Sequence, residues 1–456
     1  MGKKYDFDYL VIGSGPAGSA AALILAKAKK SVGIVEERYF GGTNLNTRNV
    51  PYAVALDFAH LYSKMSALPE FKNQDLSFSL PSSVSRQLKT VIEAGGNNQK
   101  IFENAGITCI NGPANFLDRN TIAVQDKKFT AANFILATGS CLKTLEIAGT
   151  DFVSYLTPET AIKIRRLPRL AVIVGAGSTG CEIASYYASL GIKVILMESS
   201  SRIFPNEDKE VAETLSEYFT HELGIMVLPS CKVVALEQDE ASKLVIFRNS
   251  NTEKVIRTDC VILATGSQPI LDYGLENADV KYKNSGIITD KFFQTSAKNI
   301  YAIGDSLGKA SSTELADYEG TVLASNLVNK TKNLVNYQGF MRLTKTFPEV
   351  ATVGLNEDDL TKRDRKYKKV ILKLEELPAS KIYDFKYGFI KLLADKNNHI
   401  LGATIVAPNA ELLTEEIAIA IRHNLSTLEI ASTPHPLNSY SYGVKLAAKA
   451  LVSKKK

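Results

Sequence analysis

At 456 residues the chain is too long for one compact domain, and domain-size scaling gives about three units of roughly 100–150 residues each. Hydrophobic residues make up 45% and charged residues 22%, which excludes a disordered chain and gives no sign of a membrane span. The net charge is only +6 and the most obvious basic run, Lys454, Lys455 and Lys456, has no aromatic interleaving, so it reads as a solvated tail and not a nucleic-acid surface.

Lys3 and Lys4 precede an apolar stretch that is short, follows Asp6 and Asp8, and is soon interrupted by glycine, which is a strand entering a turn and not a signal peptide. Five cysteines, Cys109, Cys141, Cys181, Cys231 and Cys260, are scattered without a close pair, so a reducing, cytoplasmic location is expected. No His, Cys or carboxylate cluster has metal-ligand spacing, and no metal is expected.

Residues 9–12 form an apolar run into Gly13-Ser14-Gly15-Pro16-Ala17-Gly18, an Ala/Leu-rich helical stretch covers 19–29, and a second apolar run over 31–35 ends at Glu36. This is strand, glycine turn, helix and strand with an acid at its end. Gly13 and Gly15 permit a tight turn and close backbone approach, Gly18 lets helix and strand pack, and a pyrophosphate is favoured at the helix N-terminus by free N–H groups and the helix dipole. Glu36 is placed to accept from ribose hydroxyls. A lone glycine fingerprint is weak evidence; with strand, helix and acid in register it predicts dinucleotide binding.

Between the two strand-to-loop segments 134–140 and 261–267, the same unit returns. Residues 170–174 lead into Gly175-Ala176-Gly177-Ser178-Thr179-Gly180, a helix runs through Cys181 to Leu190, and 193–197 ends at Glu198. A chain that binds two dinucleotides is expected to move electrons between them. Thr138 and Gly139 in the first trailing loop and Thr265 and Gly266 in the second read as an internal repeat. Residues 300–303 then enter Gly304-Asp305, an acid at a strand end in reach of a ribityl or phosphate-bearing group. The last hundred or so residues have no glycine-rich phosphate turn and alternate strands with helices, so a different kind of domain is expected there.

Taken together, Gly13 to Gly18, Gly41-Gly42-Thr43, Ala137-Thr138-Gly139-Ser140, Gly175 to Gly180 with Glu182, Ala264 to Ser267, Tyr301 to Asp305, Phe347-Pro348-Glu349 with Val353-Gly354, and His435-Pro436 resemble the pyridine nucleotide-disulfide oxidoreductases. The resemblance spans nearly the whole chain. It implies an α/β fold of two Rossmann-like dinucleotide-binding domains plus a C-terminal α+β dimerisation domain: residues 1–148 and 269–340 for FAD, 149–268 for NAD(P), and 341–456 for dimerisation. By that resemblance the first turn, with Gly42, Thr43, Thr138, Gly139, Gly304 and Asp305, binds FAD; the second binds NADH or NADPH, with Glu182 beside the nicotinamide. It also implies a homodimer in which His435 reaches the partner's flavin.

The pattern departs from the family at the redox centre. The family follows Gly-Gly-Thr with Cys, four residues and Cys; here those positions are Asn44 and Asn49. An amide is neither a thiolate nucleophile nor a two-electron store. Ala53 stands where lysine is common, and Tyr440 stands where an acid orients the histidine, so His435 is expected to lack its carboxylate partner. Cys181 reads as a small packing residue.

The resulting expectation is an FAD-dependent NAD(P)H oxidoreductase of diaphorase type. It passes electrons from flavin directly to a small-molecule acceptor such as a quinone or oxygen, with Asn44 and Asn49 lining a polar acceptor pocket. Glu198 favours NADH by hydrogen-bonding ribose hydroxyls and repelling a 2′-phosphate, while Ser199, Ser200, Ser201 and Arg202 keep NADPH open. A flavin-bound structural or sensing protein, and a disulfide reductase with relocated thiols, stand as alternatives.

Overall fold

The computed structural model describes residues 4–71, 74, 76–143, 146–250, 252–309 and 312–453; Lys3 and the basic run Lys454 to Lys456 lie outside them. The chain forms two compact units, one of residues 1–54, 82–143 and 267–337, the other of residues 55–81, 144–266 and 338–456.

In the first unit, five parallel strands lie in the order Thr108–Asn111, Val32–Glu36, Phe7–Ile12, Lys127–Leu136, Ile300–Ala302. The runs 9–12, 32–35 and 134–136 are continuous and largely buried because both faces of such a sheet are covered there. Leu10, Val11, Ile34 and Ile135 are completely buried, each contributing about 1.5–3 kcal/mol relative to exposure. Strand Lys127–Leu136 also carries an antiparallel ribbon of Thr121–Val124 and Ala114–Asp118.

The helix expected over 19–29 runs Pro16–Lys27. Proline suits its first turn, where the missing N–H would have had no partner. This helix packs against helix Thr313–Asn329. The approach is so close that a Cβ on Gly320 would stand 2.2 Å from the Ala17 carbonyl oxygen. That contact seats the N-terminus of the later helix in the first unit.

The second unit repeats the design. Parallel strands Met226–Leu228, Lys193–Met197, Leu170–Val174 and Cys260–Leu263 form its first sheet, with helix Ser178–Ser189 following the second glycine turn. An antiparallel ribbon, Cys231–Asp239, Ser242–Asn249 and Thr252–Thr258, accompanies it. The C-terminal part is a five-stranded antiparallel sheet in the order Met341–Thr344, Glu349–Gly354, Ile400–Ala407, Phe389–Ala394, Lys368–Lys373. Helices Ala410–Arg422 and Ser441–Ser453 pack on it, which is the different architecture expected of the last hundred residues. Among the described residues no helix is long and apolar enough to cross a membrane.

Candidate functional site

The two glycine turns are built alike. Gly13 and Gly175 both have φ of +100°, and a Cβ there would stand 2.2 Å from the Ala137 oxygen or 2.4 Å from the Ala264 oxygen. A Cβ on Gly18 or Gly180 would meet the carbonyl oxygen of the turn's own first glycine at 2.0 or 1.9 Å. The middle glycines differ in kind: a Cβ on Gly15 or Gly177 meets nothing within 4 Å. Each is the N-cap of a 12-residue helix and neither helix has a side-chain cap, so open space adjoins uncapped N–H groups. Both turns therefore fit a pyrophosphate.

Each acid also closes its own turn. Glu36 accepts from the Ser14 N–H at 3.0 Å and the Ser14 hydroxyl at 2.6 Å, while buried Glu198 accepts from the Ala176 N–H at 2.8 Å and the Ser200 N–H at 2.8 Å. The Ser14 hydroxyl in turn accepts from the Gly41 N–H at 3.0 Å, and a Cβ on Gly42 would stand 2.6 Å from Gly15 Cα. This brings the segment of Gly41, Gly42 and Thr43 to the first glycine turn. Thr43 itself is exposed, and its carbonyl accepts from the Thr47 and Arg48 N–H groups at 2.9 and 2.8 Å.

In the same unit the Thr138 hydroxyl donates to the Ile270 carbonyl at 3.3 Å, and Gly139 adopts φ +72°. Asp305 accepts from the Ser140 hydroxyl at 2.9 Å. The Gly304 N–H donates at 2.8 Å to Glu319, which also accepts from the Tyr337 hydroxyl at 3.0 Å. Burial raises the Glu319 pKa. Glu319 holds the turn that carries Asp305, and nothing local in the sequence marked it.

Asn44, on the short helix Gly42–Asn46, and Asn49, opening helix Asn49–Ala67, are brought together through Thr313. Asn49 Nδ2 donates to Thr313 Oγ1 at 2.7 Å, and that hydroxyl donates to Asn44 Oδ1 at 2.8 Å. All five cysteines are free. Buried Cys181 directs its thiol to the Ala176 carbonyl at 3.4 Å, and burial raises its pKa well above the usual value, the setting of a packing thiol and not of a nucleophile.

In the second unit Glu182 accepts from the Lys345 N–H at 2.8 Å, and Gly266 is exposed with φ +91°. His435 corrects the expectation drawn from Tyr440. Its Nε2 lies 3.0 Å from Oε2 of Glu416, on helix Ala410–Arg422, and its Nδ1 2.9 Å from the Thr433 carbonyl oxygen. Tyr440 donates elsewhere, to the Phe385 carbonyl at 3.1 Å. Glu416 lies 19 residues upstream, a separation that no local motif reveals.

The tertiary structure also gathers Asp208, Glu210 and Glu357 within 4.8 Å of one another, a grouping invisible in sequence spacing. The ammonium of fully buried Lys391 sits among them, 3.0 Å from Asp208, 2.9 Å from Glu210 and bonded to Glu357. This is an internal ion-pair network. Burial alone would raise the Glu357 carboxyl, but hydrogen bonds from Lys391, Tyr367 and Lys369 outweigh it and hold the pKa at about 2.

Comparison with known proteins agrees with this layout. Residues 7–320 match the family described as pyridine nucleotide-disulphide oxidoreductase, and residues 341–448 match its dimerisation domain. The chain is 31% identical over 447 residues to dihydrolipoyl dehydrogenase of Mycobacterium leprae (strain TN), covering 94% of both chains. It is 29% identical over 449 residues to mercuric reductase of Staphylococcus aureus, covering 97% of this chain and 82% of the relative. The HOCl-induced flavoprotein disulfide reductase RclA from Escherichia coli shares the fold, with a TM-score of 0.86 at 21% identity over 97% of this chain and 99% of that one. The chain thus belongs to the pyridine nucleotide-disulphide oxidoreductase family, whose members bind FAD and use NAD(P)H.

Proposed function

We propose that the protein is an FAD-dependent NAD(P)H oxidoreductase that passes electrons to a non-disulfide acceptor such as a quinone or oxygen. The observation that carries this reading is the pair Asn44 and Asn49, amides at the positions the family resemblance assigns to thiols, both hydrogen-bonded to Thr313. FAD supplies two-electron transfer, so that NADH, a proton and a quinone yield NAD⁺ and a hydroquinone. Residues 1–148 and 269–340 bind FAD through Gly13, Gly15, Gly18, Gly42, Thr138, Gly139 and Asp305. Residues 149–268 bind the nicotinamide nucleotide through Gly175, Gly177, Gly180 and Glu198. The chain acts as a cytoplasmic homodimer through residues 341–456, with His435 serving the partner's flavin and Glu182 orienting the nicotinamide.

NADH is the preferred donor. Glu198 is buried at the second turn, and the Arg202 guanidinium, the nearby cation suited to a 2′-phosphate, is engaged elsewhere: it donates to the Glu207 carbonyl at 2.9 Å and faces Asp358 at 3.9 Å. Stopped-flow reduction by each dinucleotide tests this choice; a large NADPH advantage rejects it.

Anaerobic NADH titration of the purified yellow protein, followed by a screen of quinones and oxygen, tests the main reading. Flavin bleaching without a long-wavelength thiolate charge-transfer band is expected, and its appearance overturns the reading. The names of the relatives, mercuric reductase and dihydrolipoyl dehydrogenase, favour a second reading in which sulfur takes part. Turnover with a disulfide substrate separates the two: the first reading expects none, and NADH-dependent disulfide reduction that is lost on alkylation of the accessible thiols supports the second.

A further inference from the structure

Thr313 joins two amides that are 269 and 264 residues away from it in the chain. A hydroxyl has one proton and two lone pairs. The Thr313 proton goes to Asn44 Oδ1, and the hydroxyl oxygen accepts an N–H of Asn49. These bonds set the sense of both amides. Asn44 turns its oxygen toward Thr313, leaving both N–H groups of Nδ2 on the other side; Asn49 turns its nitrogen inward and leaves Oδ1 outward. Among the described residues neither Asn44 Nδ2 nor Asn49 Oδ1 has a further hydrogen-bond partner.

The three residues are held by helices that lie far apart along the chain. Thr313 is the first residue of a 17-residue helix whose N-cap, Ser312, accepts from the Leu315 N–H at 3.2 Å. That helix is fixed by its close contact at Gly320 with the phosphate-turn helix. Asn44 is fixed through the helix Gly42–Asn46, whose last residue donates its Nδ2 to the Phe40 carbonyl at 3.1 Å and the Gly42 carbonyl at 2.8 Å. Asn44 is half-buried and Asn49 exposed, so the pair presents one sheltered donor and one accessible acceptor.

We propose that Thr313 is a positioning residue that sets the polarity of an acceptor subsite, aiming Asn44 N–H groups at a carbonyl oxygen and Asn49 Oδ1 at a hydroxyl. The ligand class is a small planar quinone: its carbonyl oxygen accepts from Asn44 on arrival, and Asn49 Oδ1 accepts a hydroxyl proton once reduction has given the hydroquinone. This rests on the reading of the protein as a direct reductase of non-disulfide acceptors. Without the Thr313 hydroxyl both amides are released to rotate, so half of their orientations present the wrong group.

The test uses FAD-loaded protein with Thr313→Val, which keeps the shape and removes both bonds, and Thr313→Ser, which keeps the hydroxyl. With 1,4-benzoquinone as the acceptor, Thr313→Val is expected to raise KM about three- to tenfold with kcat changed less than about twofold, the loss of one ligand hydrogen bond. Thr313→Ser is expected to restore KM. A merely structural residue would lower the melting temperature without this split. Binding of the redox-inert 4-hydroxybenzaldehyde, followed by perturbation of flavin absorbance, gives a second readout. A Thr313→Val value of KM and of probe affinity within about twofold of the unaltered protein overturns the proposal. Protein that binds the probe through Thr313 but turns over no quinone sinks the direct-reductase reading and leaves the subsite standing; protein that does not bind the probe sinks the subsite.

Discussion

His435 Nε2 lies 3.0 Å from Glu416 Oε2 while its Nδ1 lies 2.9 Å from the Thr433 carbonyl oxygen. Both partners are acceptors, so whichever ring nitrogen carries a proton has an oxygen to donate to, and the ring is held between them. The Glu416 side chain is 31% exposed, while that of His435 is 6% exposed, so the pair is sheltered more from the histidine's side. Glu416, from helix Ala410–Arg422, supplies the carboxylate partner that the residue at Tyr440 does not.

If His435 serves the acceptor half of the reaction, Glu416→Ala slows quinone-dependent reoxidation about three- to tenfold, the worth of one hydrogen bond of 0.5–1.5 kcal/mol. Glu416→Gln, which retains an acceptor oxygen, falls between. Stopped-flow traces of the two half-reactions check this: an effect confined to reduction by NADH would place the pair elsewhere in the cycle.

The three glycines of each turn separate by their failure modes. Gly13→Ala drives a Cβ toward the Ala137 oxygen at a φ of +100° and lowers folded yield. Gly15→Val meets no protein atom at its Cβ, so the chain folds but retains FAD about tenfold more weakly, ~1.4 kcal/mol. Gly177→Val has the same effect on NADH affinity and leaves flavin content unchanged. Flavin-to-protein absorbance ratios and NADH titrations distinguish the three.

His60 is half-buried, packs at a tilt against Phe347 with ring centroids 5.6 Å apart, and shares a 2.9 Å hydrogen bond with Ser185 Oγ. Burial lowers its pKa from 6.5 to about 4. The folded value lies below the unfolded one, so its contribution is complete above pH 6.5 and lost as pH falls toward 4. Integrated over that window it amounts to about 3 kcal/mol. Melting temperatures of the unaltered chain and His60→Phe, taken at pH 7.5 and 4.5, check it: the acid-induced drop is smaller in the variant, and parallel drops would refute the assignment.

Lys391→Met leaves Asp208, Glu210 and Glu357 without their buried cation. Removing one partner of such a network costs about 3–5 kcal/mol, and differential scanning calorimetry is expected to show a clear loss. Calcium ions at millimolar concentration raise the melting temperature of this variant and not of the parent, whose Lys391 fills the place. Glu357 is held at about 2 against an ordinary 4.5, so the network's contribution is present above pH 4.5 and fades as pH falls toward 2. The variant loses that part of the acid dependence.

The two glycine turns were legible because their chemistry is local. Strands Leu170–Val174 and Lys193–Met197 match the sequence reading residue for residue, and the first helix begins three residues earlier than its apolar stretch because Pro16, Ala17 and Gly18 already belong to its first turn. Glycine spacing, an apolar run and a terminal acid act over about thirty residues, within which backbone sterics decide the outcome. Absence of sulfur at positions 44 and 49 was equally plain.

What those asparagines meet was decided only by the folded chain. Thr313 reaches them from more than 260 residues away, Glu416 reaches His435 from outside any histidine motif, and Lys391, on strand Phe389–Ala394, meets acids at the starts of two helices, Lys209–His221 and Glu357–Lys362. Such pairings depend on which elements pack side by side, and packing is set by the summed burial of many apolar residues and not by the polar groups themselves. Local backbone chemistry therefore determined the two glycine turns and the acids that close them, while tertiary packing determined which hydrogen-bond partners orient the groups around them.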